Sequence, residues 1–283
     1  MSADKIIIPR VAFQGERGAF SEGAVITLMG GRVELVPCPT FDSLFDAVPH
    51  GRANFALAPI ENTLAGSVHR SYDLLLERPL HIVAEVVIPI SHCLIGLPDS
   101  ILDRITQVES HPVALAQCER FFARHPEINR IATDDTAGSV AAIMKRGDPR
   151  NAAIAGRRAA QVYGAKVLAE RLEDHAENYT RFVLLAAQPQ SNIDADKLSL
   201  VVKLKHRPGA LAGALKPFAD RGIDLLKIES RPVLGTPWQY HFYLDLKGSI
   251  VDPKVAGALE ELKAATDDVR ILGCYKSAAT NKQ

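Results

Sequence analysis

Apolar and polar positions follow two different rhythms along the chain. Through the first two thirds, short β-branched apolar runs alternate with stretches whose apolar residues recur every three or four positions. This alternation predicts repeated βα units and mainly parallel sheets. The pattern restarts after the strongly apolar segment 81–90, which is typical of a strand buried on both faces. We therefore expect two lobes with a cleft between them, in which ligands bind at the carboxyl ends of strands.

The first region contains a predicted helix over 114–125 and ends with a predicted strand over 182–186. The polar segment 188–192 then separates it from a region with a different order of elements. There the pattern predicts strand, helix, strand, strand, helix and strand, an order typical of ferredoxin-like domains. The predicted bounds of these six elements are 198–204, 208–220, 225–233, 240–246, 255–265 and 269–275.

Composition narrows the possible functions. Lys+Arg and Asp+Glu balance at 33 each, so no global field attracts nucleic acid or an acidic membrane surface. The start of the chain lacks the long apolar run of a signal peptide, and no stretch approaches the ~20 apolar residues of a membrane helix. Four separated cysteines without CxxC pairing predict a reduced, cytoplasmic protein. The histidines show no metal-ligand spacing and no nicotinamide fingerprint is present, so we expect no metal and no cofactor.

The turn Gly15-x-x-Gly18-x-x-Ser21 lies between a predicted strand and a predicted helix. Glycines let the backbone approach a ligand closely, and the first N–H groups of a helix can bind an anion. The spacing matches neither GxGxxG nor a P-loop. An ordinary βα turn in which Ser21 caps the helix explains the same residues.

Two further polar clusters stand beside predicted helix starts. Glu61-Asn62-Thr63 follows a predicted strand and precedes Ser67, and these groups suit hydrogen bonds to a small polar ligand. Alternatively, Asn62 stabilises the loop and Ser67 caps the helix. Ser110-His111-Pro112 offers a hydroxyl and a titratable ring, although a histidine before proline at a helix entry is more often structural.

Thr180-Arg181-Phe182 leads into the last strand of the first region. Arg181 is its most obvious carboxylate partner, because a guanidinium can donate two parallel hydrogen bonds, although a surface ion pair is the alternative. In the second region, Gly209-Ala210-Leu211 opens a helix and Glu229-Ser230-Arg231-Pro232 ends a strand. Both segments suit a small acid, but a domain that serves dimer packing alone explains them equally well.

Together these segments resemble the prephenate dehydratase family, followed by a domain similar to ACT regulatory domains. The resemblance covers about residues 5–275, and its most specific parts are the Ile-Glu-Asn-Thr…Gly-Ser-Val block, Thr180–Phe182 and Glu229–Pro232. The matching segments are Gly15–Ser21, Pro59–Val68, Ser91–Leu94, Ser110–Cys118, Asp135–Ala137, Ala153–Ala160 and Thr180–Phe182.

The resemblance implies an α/β fold. A two-lobed catalytic region like the type 2 periplasmic binding proteins is expected over residues 5–188, followed by a linker over 189–196. A ferredoxin-like βαββαβ ACT domain is expected over 197–276. The chain is expected to cross between the lobes near 81–90 and again near 152–165.

The implied reaction converts prephenate into phenylpyruvate, water and carbon dioxide, in L-phenylalanine biosynthesis. L-phenylalanine is expected to bind the ACT domain and inhibit. The form is expected to be monofunctional, because no chorismate mutase helix precedes Lys5. ACT-like domains usually pair, so a homodimer or homotetramer is expected. Arogenate dehydratase and a non-catalytic protein that binds a small acid stay open as alternatives.

The residue roles are implied by the same resemblance. Thr180 is expected to serve the leaving hydroxyl, as donor or within a proton path, and Arg181 to pair with a substrate carboxylate. Ala19 departs from the family, which often has threonine there, and removes one possible ligand contact. Thr63, in place of the common serine, keeps the hydroxyl, and Gly138-Ser139 also departs from the family pattern. Substrate binding is expected at Gly18, Ser21, Asn62, Thr63, Ser67, Ser110 and Phe182, and phenylalanine binding at Gly209, Ala210, Leu211, Glu229, Ser230, Arg231 and Pro232.

Overall fold

The computed structural model describes residues 8–190, 192–204, 207–233 and 235–279. Within them, strands and helices alternate as an α/β protein. The strands are β1 Arg10–Gln14, β2 Glu34–Cys38, β3 Phe55–Asn62, β4 Gly66–Ser67, β5 His81–Pro89, β6 Cys93–Gly96, β7 Gln107–Ser110, β8 Asn129–Ala132, β9 Asn151–Ala155, β10 Lys166–Ala169, β11 Tyr179–Ala186, β12 Lys197–Lys203, β13 Leu225–Pro232, β14 Tyr240–Lys247 and β15 Asp268–Tyr275. The helices are α1 Phe20–Met29, α2 Phe41–Phe45, α3 His69–Glu77, α4 Pro112–Ala116, α5 Glu119–Arg124, α6 Thr136–Arg146, α7 Arg157–Tyr163, α8 Ala210–Ala219 and α9 Pro253–Ala265.

Local chemistry sets the helix ends, as α6 illustrates. The Asp135 side chain accepts a hydrogen bond from the backbone N–H of Gly138, which satisfies one free donor of the first turn. Lys145 and Arg146 lie in the last turn, where cations oppose the negative end of the helix dipole. Gly147 then adopts a left-handed conformation with φ 73°, which ends the helix.

The first two sheets make up the two predicted lobes. The first has the strand order β2-β1-β3-β11-β5, and the second has the order β10-β6-β9-β7-β8. Strand β1 runs parallel to β2 and β3, and β7 runs parallel to β8 and β9. Strand β6, however, is antiparallel to both β9 and β10. The strands are therefore parallel where βα units follow one another. In the second sheet the antiparallel pairs involve β6 and β10, the strands through which the chain enters and leaves that sheet.

Sheet membership corrects the predicted crossing points. Strand β5 belongs to the first sheet and β6 to the second, so the chain crosses at residues 90–92, at the end of the predicted segment. The prediction of a second crossing near 152–165 is wrong. Strand β9, in that segment, is bonded on both edges within the second sheet. The chain returns between β10 and β11, at residues 170–178.

The C-terminal strands form a separate antiparallel sheet with the order β13-β14-β12-β15. With α8 and α9 it has the predicted βαββαβ order, which confirms the ferredoxin-like domain. Its core is apolar and includes Leu198, Phe218, Leu244 and Leu262, all at most 2% exposed. In the part of the chain described, no helix combines the length and the apolar character needed to cross a membrane.

The compact units do not follow the order of the sequence. Of the described residues, the first unit contains those up to Gly66 together with Val87–Phe182. The second unit contains Ser67–Val86 together with the described residues from Val183 onwards. Helix α3, which lies within the first two thirds of the chain, is therefore grouped with the ferredoxin-like domain.

Helix α3 is held in the second unit through its backbone carbonyls. The guanidinium of Arg270, on β15, donates to the carbonyl oxygens of Leu76 at 3.1 Å and Arg78 at 2.9 Å. These carbonyls lie at the C-terminal end of the helix, where a cation opposes the helix dipole. The Tyr243 hydroxyl donates to the carbonyl of Tyr72 at 2.8 Å. Strands β14 and β15 thus hold α3, and Arg270 satisfies acceptors at its C-terminal end that the helix cannot pair internally.

Candidate active site

The turn between β1 and α1 needs its glycines because another part of the first unit approaches it closely. Gly18 has φ +87°, and a Cβ built there would lie 2.8 Å from the Cα of Ala159 in α7. Gly15 has φ +101°, and its Cβ would lie 2.7 Å from Oδ2 of Asp135. Both positions therefore exclude larger residues, for reasons of backbone conformation and of space.

A buried carboxylate occupies this turn. Glu22 is fully buried and accepts hydrogen bonds from the Gly18 backbone N–H at 2.9 Å and from Arg17 Nε at 2.8 Å. It also pairs with Arg158 at the start of α7, with Nε 2.8 Å from Oε1. Burial alone would raise the pKa of Glu22, but these donors outweigh it and lower the pKa. The N–H of Gly18, predicted to hold an anion, therefore binds a carboxylate of the protein, and the Ser21 hydroxyl donates to the Gln14 carbonyl.

Asn62 and Thr180, both predicted site residues, are in direct contact. Asn62 Oδ1 accepts from the backbone N–H groups of Leu64 at 3.0 Å and Ala65 at 2.8 Å. This fixes the amide so that Nδ2 points to the other side, where it donates to Asn178 Oδ1 at 2.7 Å and to Thr180 Oγ1 at 3.0 Å. The end of β3 and the start of β11 therefore share one polar centre.

The hydrogen bonds continue from Asn178 into the second lobe. Asn178 is fully buried, and its Nδ2 donates to Gln117 Oε1 at 2.9 Å. The same oxygen lies 2.9 Å from Nε2 of His92, which is 2% exposed. Burial lowers the pKa of His92. Residues from three separate segments of the first unit thus form one connected network with Asn62 and Thr180.

Gln117 was not predicted as a site residue, because residues 114–125 were expected to form one helix. The helix is interrupted, since α4 ends at Ala116 and α5 starts at Glu119. The carboxylate of Asp174 accepts from the backbone N–H groups of Glu119 and Arg120, both at 2.9 Å, and so caps α5. The partner that stabilises the break is distant in sequence, so no local signal marked it.

Thr180 is 9% exposed, and its oxygen accepts from Asn62. Among the described residues its hydroxyl proton has no acceptor, so it can donate to a bound molecule. Arg181 pairs with Glu61, with Nη1 2.9 Å from Oε1. Thr63 Oγ1 donates to the Glu177 carbonyl at 2.7 Å and ties the loop to the segment before β11. Phe182 is 3% exposed and belongs to the core.

The structure places the other predicted hydroxyls elsewhere. Ser110 is fully buried, and its Oγ donates to the Ile154 carbonyl at 2.6 Å. Ser67 belongs to the second unit, where its hydroxyl donates to the Glu229 carboxylate. His111 caps α4, because its Nδ1 accepts from the Val113 N–H at 3.2 Å. These hydroxyls have protein partners, so substrate binding by Ser67 and Ser110 stays a prediction.

The predicted phenylalanine-binding residues lie at two places in the ferredoxin-like domain. Gly209 has φ 78° and precedes α8, whose first turn contains Ala210 and Leu211. On β13, alternate residues face opposite sides. Arg231 makes a two-fold hydrogen bond to Asp73 of α3, both contacts 2.9 Å, and Glu229 binds Ser67. Ser230 and Pro232 are exposed.

Comparison with protein families decides the identity of the chain. The family model described as prephenate dehydratase matches residues 11–190, and the ACT domain model matches residues 198–264. The chain belongs to the prephenate dehydratase family. It is accordingly a lyase with an ACT domain, as the sequence resemblance predicted.

Relatives in this family come from plants and bacteria. Arogenate dehydratase 1 of Petunia hybrida is 40% identical over 94% of this chain and 66% of its own length. Arogenate dehydratase/prephenate dehydratase 1, chloroplastic, of Arabidopsis thaliana is 41% identical, over 94% and 71%. The bifunctional chorismate mutase/prephenate dehydratase of Stutzerimonas stutzeri is 37% identical, over 95% and 73%. The chain thus spans about two thirds to three quarters of the length of these relatives.

Solved structures of similar proteins confirm the fold. Prephenate dehydratase from Arthrobacter aurescens, in complex with L-Phe, superposes with a TM-score of 0.87 at 33% identity, over 97% of this chain and 91% of that one. GqqA, described as a novel type of quorum quenching acylase, superposes with a TM-score of 0.88 at 32% identity, over 95% and 98%. The two-lobed α/β region and the ACT domain are therefore shared along nearly the whole chain.

Proposed function

We propose that this member of the prephenate dehydratase family converts prephenate into phenylpyruvate. The hydroxyl leaves the ring as water after taking up one proton. The bond between the ring and its carboxylate breaks, its electron pair makes the ring aromatic, and carbon dioxide departs. The observation that supports this proposal most directly is the part-buried contact between Asn62 and Thr180, with Nδ2 3.0 Å from Oγ1. It leaves the Thr180 proton available for the departing hydroxyl.

The network around Thr180 explains how a threonine can serve this reaction. A threonine hydroxyl is a weak acid, so its contribution depends on position and on a donor or proton path of suitable strength. The Asn62 amide is fixed by two backbone N–H groups, and Asn178 and Gln117 extend it into the second lobe. Fixed dipoles need no reorganisation during the reaction, and positioning alone can lower a barrier by roughly 7–11 kcal/mol.

Arg181 is proposed to hold a substrate carboxylate. In the structure its guanidinium already pairs with Glu61 and is 11% exposed in the side chain. A guanidinium has five N–H donors, so it can keep Glu61 and still donate to a ligand. Under this proposal Glu61 orients the arginine and Arg181 neutralises one charge of the dianion.

Arogenate is the second candidate substrate. It carries an amino group where prephenate has a keto oxygen, and it loses the same hydroxyl and carboxylate. The Petunia hybrida relative, 40% identical to this chain, is named an arogenate dehydratase. The Arabidopsis thaliana relative has both activities in its name. The proposed roles of Thr180 and Arg181 apply to either substrate.

The test is product formation by the purified full-length protein with prephenate and, separately, with arogenate, without added metal or nucleotide. Phenylpyruvate from prephenate supports the proposal, and the ratio of the two kcat/KM values assigns the preferred substrate. Turnover of arogenate alone would transfer the proposal to that substrate. Turnover of neither would contradict it and favour a protein that only binds a small acid.

We also propose that L-phenylalanine binds the ACT domain and inhibits the enzyme. The Arthrobacter aurescens relative was solved in complex with L-Phe, and it superposes along nearly the whole chain. The predicted ligand residues, Gly209–Leu211 and Glu229–Pro232, lie at a helix start and on an edge strand of this domain. Backbone N–H groups at a helix start suit the carboxylate of an amino acid.

A homodimer or homotetramer is proposed because apolar residues on and beside the edge strand β13 are exposed. Leu226 is 45% exposed and Ile228 41%, and Trp238 and Tyr240 follow at 77% and 37%. Exposed apolar patches of this kind mark interaction sites. Light scattering of the purified protein measures the mass, and a monomer at micromolar concentration would contradict this proposal.

We propose that the protein resides in a reducing compartment, the cytoplasm, because its cysteines are free thiols. Cys38, Cys93 and Cys118 are buried and free, and Cys274 is half-buried and free. Burial raises the pKa of the Cys118 thiol well above its ordinary value, so this group stays protonated and unreactive. Subcellular fractionation with an antibody to the protein tests the location.

A further inference from the structure

The donor and acceptor of each hydrogen bond between Asn62 and His92 can be deduced by starting from the backbone groups that contact Asn62. The backbone N–H groups of Leu64 and Ala65 can only donate, so the Asn62 atom that they contact is the oxygen. The Asn62 nitrogen then donates to Asn178 Oδ1. The Asn178 nitrogen in turn donates to Gln117 Oε1. The oxygen of Gln117 is therefore fixed as an acceptor.

This order of donors and acceptors determines which ring nitrogen of His92 carries the proton. Its Nε2 lies 2.9 Å from the Gln117 oxygen, so Nε2 must be the donor. In the neutral ring, Nδ1 is then unprotonated, and among the described residues Nδ1 is buried without a hydrogen-bond partner. The ring packs against Phe20 in a T-shaped arrangement, with ring centroids 5.6 Å apart and an interplanar angle of 84°.

We propose that His92 is a positioning residue that acts through Gln117. The Nε2–H of His92 and the Nδ2–H of Asn178 together hold the Gln117 oxygen. The Gln117 amino group, which has no hydrogen-bond partner among the described residues, is thereby left as a donor for the substrate. This inference rests on the proposed dehydratase function and adds a residue to which the sequence assigned no role.

Two conservative variants separate the two nitrogens of the ring. In His92→Gln the side-chain amino group can reach the place of Nε2, whereas in His92→Asn it reaches the place of Nδ1. We expect His92→Gln to keep kcat within about threefold of the original enzyme, because the donor to Gln117 is retained. His92→Asn is expected to lower kcat about tenfold or more, with a smaller change in KM, because a fixed dipole of the site is lost. Equal kcat values for the two variants, or a large loss in folded His92→Gln, would overturn the proposal.

A double-mutant cycle tests whether His92 acts through Gln117. If it does, His92→Asn lowers kcat much less in a Gln117→Leu background than in the original enzyme. Independent, multiplicative losses in the double variant would contradict the proposal. His175→Asn serves as the control, because His175 is exposed and lies in the same unit. Its kcat is expected to stay unchanged.

The tautomer can be measured without any substitution. In protein labelled with ¹⁵N-histidine, the His92 ring is expected to show a protonated Nε2 and an unprotonated Nδ1 at neutral pH. A protonated Nδ1 would overturn the proposal even if every variant failed to fold. Turnover by the original enzyme is measured first, so a failure of the dehydratase proposal is distinguishable from a failure of the role of His92.

Discussion

At the scale of single residues, Thr180 is the most informative position. We expect Thr180→Ala to lower kcat about a hundredfold, because the hydroxyl proposed to serve the leaving group is gone. Thr180→Ser keeps the hydroxyl and should keep most of the turnover. The free energy of unfolding should fall by only about 1 kcal/mol, since one hydrogen bond from Asn62 is lost. Steady-state kinetics and urea unfolding measure both quantities, and an unchanged kcat in Thr180→Ala would remove this residue from the mechanism.

A second prediction concerns Glu22 and the pH dependence of the free energy of unfolding. The folded-state pKa of Glu22 lies below its ordinary value of 4.5. The charged Glu22 therefore contributes its full stabilisation of the folded protein above about pH 4.5. This contribution is lost as the pH falls through the folded-state pKa. Glu22→Gln removes the charge that Arg17 and Arg158 contact and should lower the free energy of unfolding by about 3 kcal/mol at pH 7.

The same experiment has a matched control in Glu34→Gln, since Glu34 is an exposed acid on β2. Urea unfolding from pH 3 to pH 7 should show a weaker pH dependence for Glu22→Gln than for the original protein. Glu34→Gln should differ little from the original. An unchanged slope in Glu22→Gln would show that the buried ion pair does not set the acid stability.

Site residues could be predicted from the sequence where a short motif around them identified them. Asn62 and Thr180 were both chosen from the sequence, and the structure joins them within 3.0 Å. Ser67 was predicted to bind substrate because it follows the Asn62 loop, but its hydroxyl binds Glu229, 162 positions further along the chain. Gln117 was missed because residues 114–125 were expected to form one helix, whereas the helix breaks at Gln117, next to the turn that Asp174 caps. Partners distant in sequence left no pattern to detect.

At the scale of elements, the turn before α1 allows a prediction of how glycine substitutions change the free energy of unfolding. A Cβ on Gly18 would lie 2.8 Å from a backbone atom of Ala159, and its φ of +87° is strained for other residues. Gly18→Ala should therefore lower the free energy of unfolding by more than about 2 kcal/mol. Gly23→Ala is the control, because Gly23 lies inside α1 and its added Cβ would meet no atom within 4 Å beyond the backbone of its own helix and its chain neighbours.

The control should behave in the opposite way. Alanine in a helix interior is favoured over glycine by about 0.5–1 kcal/mol, so Gly23→Ala should be neutral or stabilising. Urea unfolding of the two variants side by side gives both values. Equal stabilities would mean that α7 can move away from the turn, against the close packing that the structure shows.

Hydrophobic periodicity predicted the elements better than their connections. The segment 81–90 was expected as a strand, and β5 occupies 81–89. The βαββαβ order of the second region was also correct. The return to the first sheet was placed too early, because β9 and α7 continue the βα rhythm that marked each lobe. Periodicity reports which face of an element is buried, whereas sheet membership depends on strand pairing between distant segments.

At the scale of the whole molecule, the prediction concerns inhibition. Ser230 is exposed on β13, whereas its neighbours Glu229 and Arg231 contact α3. Ser230→Ala should abolish inhibition by millimolar L-phenylalanine and leave the uninhibited kcat unchanged, because its side chain lies outside the proposed catalytic network. Ser249→Ala, in the same domain but outside both predicted ligand segments, should stay inhibited. Full inhibition of Ser230→Ala would exclude this residue from the ligand site.

The capping of α3 by Arg270 bears on how such enzymes can be recombined. A chimera joined near residue 190, where the family model ends, would leave α3 behind and discard the guanidinium that satisfies its last carbonyls. A replacement ACT domain would have to supply an equivalent cation on its last strand and an equivalent hydroxyl for the Tyr72 carbonyl. Exchanging ACT domains between enzymes therefore requires a match to α3, and the unit to exchange includes residues 67–86.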